Sequence, residues 1–364
     1  MDVLVVTIVH TPLDARIHRR QITSLLRAGH RVRYAAPFTA YGVDPAQLDL
    51  SALTTQDLPR ATGRRRLRAL RAARRLVKSA TEDVVIVHDP ELLLAVVAAR
   101  TPPILWDVHE DLAGSLTDKP WLPAWLRPMT RGLVRWAELR AEKRYEVMLA
   151  ESSYTDRFRR PHPVVTNRPW LPDAPVVPGD RRVVYLGRVS ILRGGHDLLE
   201  IGRRLQPHGI QVEVIGPIDA ELRAEFAAAS AAGTVVAIGF MPNVQALGRL
   251  DGALAGLSLL RDHPNYRFSL PTKILEYQAY GLPVITTPLP EAERIVRSAG
   301  SGVIVDFADP AGTVEAILAL RDDPDLVRAL ATAGRRAAER EWSWDAVADD
   351  FVATVERVAA THRT

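Results

Sequence analysis

The sequence predicts an α/β chain of two doubly wound domains in tandem, and three observations carry that expectation. Short valine-rich apolar runs alternate with helical patterns, a proline-rich stretch interrupts the rhythm, and the rhythm then restarts. A length of 364 residues exceeds one ordinary core and suits two domains of roughly 150 to 180 residues each. Hydrophobic residues at 47% and charged residues at 25% are the proportions of a folded globular chain rather than a disordered one.

In the first half, the runs Val3 to Val9, Val32 to Ala36, Val84 to Val87, Ile104 to Val108 and Val147 to Ala150 read as strands. They are mostly apolar rather than alternating, so both faces are expected to be buried, which calls for a mostly parallel sheet with helices on each side. After Asn167 the chain reads Arg-Pro-Trp-Leu-Pro-Asp-Ala-Pro-Val-Val-Pro-Gly, which neither a helix nor a central strand tolerates. A second series follows at Val183 to Leu186, Val212 to Ile215, Val235 to Ile238, Ala253 to Leu260, Val284 to Thr287 and Val303 to Val305. Beyond Trp342-Ser-Trp344 a helical pattern runs from Asp345 to about Ala360 and is expected to cross back to the first domain. The expected organisation is a domain over 1–168, a linker over 169–181, a second domain over 182–341 and a terminal helical segment over 342–364. In such folds ligands bind at the carboxyl ends of the strands, so the function is expected in a cleft between the domains.

Composition narrows the chemistry. Cysteine is absent, which excludes disulfides, thiolate metal sites and cysteine nucleophiles. The opening Met1 to Val9 reads as a strand rather than a signal peptide, and the expected location is cytoplasmic. The net charge of +4 conceals a cluster, Arg64, Arg65, Arg66, Arg68, Arg71, Arg74, Arg75 and Lys78, interleaved with Leu67, Leu70 and Leu76. Such a basic amphipathic helix suits an anionic surface at the inner face of the plasma membrane, or a polyanionic acceptor; the alternative is a solvated arginine-rich face. With no aromatic interleaving and no nucleic-acid motif, no nucleic-acid partner is expected.

The candidate sites fall where strands end. In Ser269-Leu-Pro-Thr-Lys273-Ile274-Leu275-Glu276-Tyr-Gln-Ala-Tyr-Gly281, Pro271 suits the first turn of a helix starting near Leu270, and Gly281 with Pro283 ends it. Lys273 and Glu276 share a face near the positive end of that helix. Lys273 suits a diphosphate and Glu276 two vicinal ribose hydroxyls, the alternative being an exposed ion pair. After the strand ending at Leu186, Gly187 permits close backbone approach, and Arg188 and Arg193 offer forked cationic donors for a diphosphate leaving group.

In the first half, Asp107-Val-His109-Glu110 ends a strand with a histidine expected to touch a sugar or act in catalysis, the alternative being a structural histidine. In His88-Asp89-Pro90, Asp89 and Pro90 read as turn and capping residues, with His88 a further candidate. The loop His10-Thr11-Pro12-Leu13-Asp14-Ala15-Arg16 lacks the glycines of a dinucleotide fingerprint, which disfavours a nicotinamide cofactor; His10, Thr11, Asp14 and Arg16 are expected to floor an acceptor pocket. No zinc spacing and no acidic pair for a sugar-nucleotide metal stand out, so no metal is expected.

Together these residues resemble the retaining glycosyltransferases of family four, group 1, which have the two-domain GT-B fold. The resemblance covers nearly the whole chain: Asp14-Ala-Arg16, Gly29-His30-Arg-Val32 and Asp107-Val-His109-Glu110 in the first half, and Asn167, Gly187-Arg188, Gly239-Phe240 and Leu270 to Tyr277 in the second. It implies a nucleotide-diphosphate sugar as co-substrate, with UDP, GDP or dTDP unresolved, held by the second domain, and a saccharide, glycolipid or natural-product acceptor on the first. Arg188 matches the family's diphosphate-binding arginine, Arg193 stands where the family usually has lysine, Glu276 matches the ribose-binding glutamate and His109 the histidine beside the donor sugar. Where the family often has a second glutamate, eight residues before Glu276, this chain has Phe268; Asn265, Tyr266 and Ser269 are expected as replacement contacts. The resemblance implies transfer with retention, no metal and a front-face route. The competing readings are a catalytically silent sugar-nucleotide-binding partner, favoured by Phe268 alone, and a sugar-nucleotide epimerase, for which no acid/base pair is placed.

Overall fold

The computed structural model describes residues 1–48, 51–93, 101–109, 123–267 and 269–361, so Glu110 and Phe268 lie outside the described residues. The chain divides into two compact units, one of Met1–Asn167 with Val347–Thr364 and one of Arg168–Ala346.

In the first unit, β1 (Asp2–Val6), β2 (Arg31–Ala36), β3 (Leu53–Asp57), β4 (Val84–Val87), β5 (Ile104–Val108) and β6 (Glu146–Leu149) form one parallel sheet in the order β3-β2-β1-β4-β5-β6. Strands β4 and β5 are buried at every position, β4 as a wholly apolar run and β5 with one charge, Asp107, taken inside. The sequence reading does not find β3. It reads Leu-Thr-Thr-Gln-Asp, pairs only with β2 and is largely exposed, so an edge position leaves it no apolar run to announce it. A wide-turned helix, Ala15–Ile22, follows β1 and continues into α1 (Thr23–Arg27); α2 (Phe38–Tyr41), α3 (Arg66–Lys78) and α4 (Arg127–Glu142) complete the helices that precede β6 among the described residues. In α3 the core takes Ala69, Ala73, Leu76 and Val77, and the arginines take the outer face.

The second unit repeats the plan. Strands β7 (Arg182–Leu186), β8 (Gln211–Ile215), β9 (Val235–Gly239), β10 (Ala255–Ser258), β11 (Val284–Thr286) and β12 (Gly302–Ile304) run parallel in the order β12-β11-β10-β7-β8-β9. Alternate residues of β7 enter different cores, Val183 and Tyr185 one, Val184 and Leu186 the other, so helices cover both faces. These helices are α5 (Gly195–Leu205), α6 (Arg223–Ala231), α7 (Asn243–Gly248), α8 (Pro264–Arg267), α9 (Thr272–Tyr280), α10 (Pro290–Ala299), α11 (Pro310–Asp322) and α12 (Pro324–Ala337). Pro271 caps α9 rather than occupying its first turn, so the helix starts at Thr272, and Gly281 ends it in the left-handed conformation with φ 70°. The proline-rich stretch is tied to this unit, with Val176 N–H donating to Tyr280 O at 2.8 Å and Arg335 Nη2 to Pro172 O at 3.0 Å.

The terminal helix α13 (Asp345–Ala360) groups with the first unit from Val347 onward, burying Phe351, Val355 and Val358, and Glu356 there meets His30 at 3.1 Å. In each sheet the strand order reverses beside the first strand, between β1 and β4 and between β7 and β10. The carboxyl ends at those reversals are where doubly wound sheets hold ligands. Among the described residues no helix is long and apolar enough to cross a membrane.

Candidate functional site

In the second unit the site is built on the turn that leaves β7. Gly187 has φ 108°, a backbone that a side chain would strain, and a Cβ on the neighbouring Gly216 would meet Gly187 O at 2.1 Å. Two turns thus pack backbone to backbone, which glycine alone allows. Beside Gly187 lies the ammonium of Lys273, from the first turn of α9. Its side chain is buried, with the residue 8% exposed, and Nζ has no hydrogen-bond partner; it sits 3.6 Å from the Tyr185 ring centroid. Burial, and then the charge of Arg193, hold its pKa well below the ordinary lysine value, while Glu276 pulls it upward. The Arg193 guanidinium lies 5.5 Å from the Tyr266 ring centroid. Glu276 is likewise buried, and its Oε1 accepts from Asn243 Nδ2 at 3.1 Å. Burial of both Lys273 and Glu276 removes the exposed-ion-pair alternative.

Arg188 forks onto Asp219 through Nε at 2.7 Å and Nη2 at 3.0 Å in an exposed position, and its carbonyl accepts from Tyr185 Oη at 3.0 Å. Asn265 lies on α8, and Ser269 precedes α9. Ile274 and Leu275, expected among donor-binding residues, have fully buried side chains in the core, and their N–H groups donate to Pro271 O at 2.9 and 3.4 Å. They build the helix and present no side chain to a ligand, because the face of α9 they occupy is the one that packs on the sheet. Tyr277 fixes that packing: its ring fills the space a Cβ of Gly256 would need, with contact at 2.5 Å, and its Oη accepts from Leu186 N at 2.9 Å and lies 3.2 Å from Leu257 O.

In the first unit the ends of β1, β4 and β5 assemble a buried charged cluster. Arg16 forks onto Asp107 with Nε to Oδ2 at 2.7 Å and Nη2 to Oδ1 at 2.6 Å, and its Nη1 donates to Val165 O and Asn167 Oδ1, each at 2.9 Å. Gln21 Nε2 adds a bond to Asp107 Oδ2 at 2.7 Å, and His88 Nδ1 stands 3.2 Å from the same oxygen. Burial alone would raise the Asp107 pKa, but the Arg16 charge and bonds hold it well below the ordinary carboxylate value. Arg16 and Asp14 were expected on an acceptor floor. Arg16 instead spends its guanidinium inside the protein, and Asp14 caps the following helix by accepting from Arg16 N at 2.8 Å and Ile17 N at 3.0 Å. The Thr11 hydroxyl accepts from Leu13 N at 3.4 Å within the turn.

His109 Nε2 lies 3.0 Å from His10 Nε2, and His109 Nδ1 lies 3.2 Å from Asp107 O. One ring must donate and the other accept, so the two are not both cationic while this contact stands. Burial pushes the His109 pKa down to about 3, against the pull of Asp107 and with further lowering by His10 and His88. Asp89, read in the sequence as a cap, braces the β1 loop: it accepts from Thr7 Oγ1 at 3.0 Å and lies 3.3 Å from His10 Nε2. His88, Asp107 and His109 place ligand-type atoms within 4.8 Å of one another, a grouping that linear spacing conceals because two strands contribute. Sequence reasoning also misses Gln21, Tyr185, Asp219 and Asn243. Tyr185 is indistinguishable from core in a strand pattern, and the others carry no local signal.

Two doubly wound parallel domains in tandem define the GT-B class. Residues 180–323 match the family model described as glycosyl transferases group 1. The phosphatidyl-myo-inositol mannosyltransferase of Mycobacterium leprae is 26% identical over 372 residues, covering 96% of this chain and 94% of that protein. D-inositol 3-phosphate glycosyltransferases of Salinispora tropica and Thermobispora bispora are 33% and 38% identical over 101 and 104 residues, 28% of this chain in each case; the match spans only 21% and 24% of their lengths. Among solved structures, sucrose-phosphate synthase of Thermosynechococcus elongatus shares the fold with TM-score 0.71 at 16% identity, covering 99% of both chains. HepE of Anabaena, solved with UDP and glucose, gives TM-score 0.70 at 12% identity, covering 98% of this chain and 99% of that one. Residues 180–323 thus resemble the group 1 glycosyl transferases, and along its whole length the chain shares the fold of solved GT-B glycosyltransferases.

Proposed function

We propose that this chain transfers a sugar from a nucleotide-diphosphate sugar to a hydroxyl of a saccharide, glycolipid or natural-product acceptor, with retention at the anomeric carbon and without a metal. The observation that carries this reading is Lys273 Nζ, a buried ammonium with no hydrogen-bond partner beside the Gly187 turn. A buried, unpaired cation is costly, and a diphosphate at that turn removes the cost. Arg193 adds a second cation, and Arg188 a third once it exchanges Asp219 for phosphate. Glu276, which accepts from Asn243, is the group we assign to the ribose hydroxyls.

In the front-face route the bond from the anomeric carbon to the diphosphate oxygen breaks as the acceptor oxygen bonds to the same face, and the acceptor proton passes to the departing phosphate. The three cations stabilise the charge that develops on the diphosphate. His109, held neutral by burial, serves the donor sugar as a hydrogen-bonding group rather than as a cation. Metal independence is supported by Asp107, whose two oxygens already accept from Arg16 and Gln21 and so make it a poor ligand for the His88 and His109 grouping. Among acceptors, the relative that matches along nearly its full length is named for a phosphatidyl-inositol lipid, which favours a glycolipid.

Thermal unfolding with UDP, GDP, ADP and dTDP tests the reading. A nucleotide at about 100 times its dissociation constant adds roughly 2.7 kcal/mol to stability. Stabilisation by one nucleotide, lost in Glu276→Ala, supports it and names the donor class; no shift with any of them at saturating concentration overturns it. Anomeric configuration of the product, read by NMR, separates retention from inversion, and undiminished turnover in excess chelator tests metal independence.

A further inference from the structure

The helix α4 is amphipathic the wrong way round. Its two carboxylates point inward: Glu138 and Glu142 are buried, Glu138 pairs with Arg157, and Glu142 accepts from the amides of Arg159 and Arg160, each at 2.8 Å, and lies 3.0 Å from His162 Nε2. Its large apolar side chains point outward. Trp125, in the turn just before the helix, and Met129, Leu133 and Trp136 within it are 78%, 67%, 64% and 60% exposed. Their spacing of four, four and three residues places them in one stripe along the helix. An ordinary surface helix of a soluble domain buries such a stripe and solvates its carboxylates.

The charges beside the stripe decide what it fits. With both acids turned inward, the outer surface of this segment carries Arg127, Arg131, Arg140, Lys143 and Arg144 and no exposed acid of α4 to balance them. Arg127, Arg131 and Arg135 also line a shallow depression beside Pro128 and Gly132. Arg140 lies 5.7 Å from the Trp136 ring centroid, a cation held at the edge of an aromatic anchor. Tryptophan and long apolar side chains rimmed by arginine match the interfacial zone of an anionic bilayer, where rings enter the headgroup boundary and cations meet lipid phosphates.

We propose that the exposed face formed by Trp125, Met129, Leu133 and Trp136, with its arginine rim, docks this chain flat on an anionic lipid bilayer. The inference does not rest on the transfer reading. It also assigns the docking to α4 rather than to the arginine-rich α3, which exposes Leu67 alone among its large apolar side chains and spends Ala69, Ala73, Leu76 and Val77 on the core.

The test is co-sedimentation of the full chain with vesicles of phosphatidylcholine alone and of phosphatidylcholine mixed equally with phosphatidylglycerol. Binding to the mixed vesicles and much weaker binding to the neutral ones are expected. Leu133→Glu and Trp136→Glu each weaken it about tenfold or more. Arg127→Gln, Arg131→Gln and Arg140→Gln weaken it roughly fivefold each, and only for the anionic vesicles. All these side chains are exposed, so melting temperatures stay within error of the parent and a loss of binding is not a loss of fold. Arg71→Gln with Arg75→Gln leaves binding intact. The proposal is overturned if neither vesicle is bound at low salt, or if the α3 variant alone abolishes binding. It is equally overturned if light scattering shows a dimer that Leu133→Glu dissociates while vesicle binding persists, since a second copy then covers the stripe.

Discussion

The two strand-end clusters solve the same problem in opposite ways. In the first unit every charge at the core of the cluster is answered within the protein: Arg16 and Asp107 fork onto each other, and Gln21, Val165 and Asn167 complete the set. In the second unit Lys273 is buried without such an answer, over an aromatic ring and beside a second cation. The first arrangement is a finished brace. The second leaves a buried cation open, which is why we propose it as the seat of the diphosphate. The lesson is that burial of charge alone is a weak guide to function, and a buried charge without a partner is the better place to test for it.

That contrast can be broken by substitution. Asp107→Ala leaves the Arg16 guanidinium buried and unpaired, and is expected to destabilise the first unit by about 3 to 5 kcal/mol, read by chemical denaturation. Lys273→Met should do the reverse of a damaging core change. Stability in the absence of ligand stays level or rises, because a buried ammonium is replaced by an apolar chain of similar length, while turnover falls on the order of a hundredfold or more. A Lys273→Met variant that is strongly destabilised would show that the ammonium already has its partner.

Acidity sharpens the comparison further. His109 and His18 are pushed down by burial to about 3 and about 4, below the ordinary histidine value of 6.5. The unfolded chain therefore takes up protons before the folded one does. Stability from these groups is present in full above pH 6.5 and is lost as pH falls through the window toward 4 and 3, at about 1.4 kcal/mol per pH unit per histidine at most. Denaturation midpoints measured at neutral pH and in mild acid check this, and an unchanged midpoint refutes it. In the second unit the effect runs the other way. A diphosphate raises the depressed Lys273 pKa, so nucleotide binding takes up protons and weakens as the solution becomes alkaline. Calorimetry in buffers of different ionisation enthalpy detects that uptake. The smallest expected effect is Asn243→Ala, which removes the Asn243 hydrogen bond to Glu276 and lowers nucleotide affinity by about 1 kcal/mol.

How much of this was legible in the sequence follows from locality. Eleven of the strands announce themselves as short, mostly apolar runs, whereas β3 is polar and sits at an edge, so no pattern marks it. Gly187, Arg188, Arg193, Lys273 and Glu276 lie in two short segments whose residue types state their chemistry. The first-unit cluster draws on five separate stretches, from His10 to Asn167, which only the folded sheet and its flanking helix bring together; hence Arg16 read as the floor of an acceptor pocket and Asp89 as a cap. Tyr185 and Tyr277 read as core because they are core, and their ring face and hydroxyl become functional only through what packs on them. The helix α4 misleads in another way, since nothing in a list of residue types says which of its faces turns inward.

Tyr277 has one more implication. Its hydroxyl joins the end of β7 to β10 while its ring packs against Gly256, so one fully buried side chain spans helix and sheet. The lysine and the glycine turn are therefore gauged against each other by an aromatic ring rather than by a loop. Any rearrangement within this unit has to carry α9 and the β7 end as a single rigid piece, and a loss of that hydroxyl would be felt as imprecision in the site before it was felt as instability.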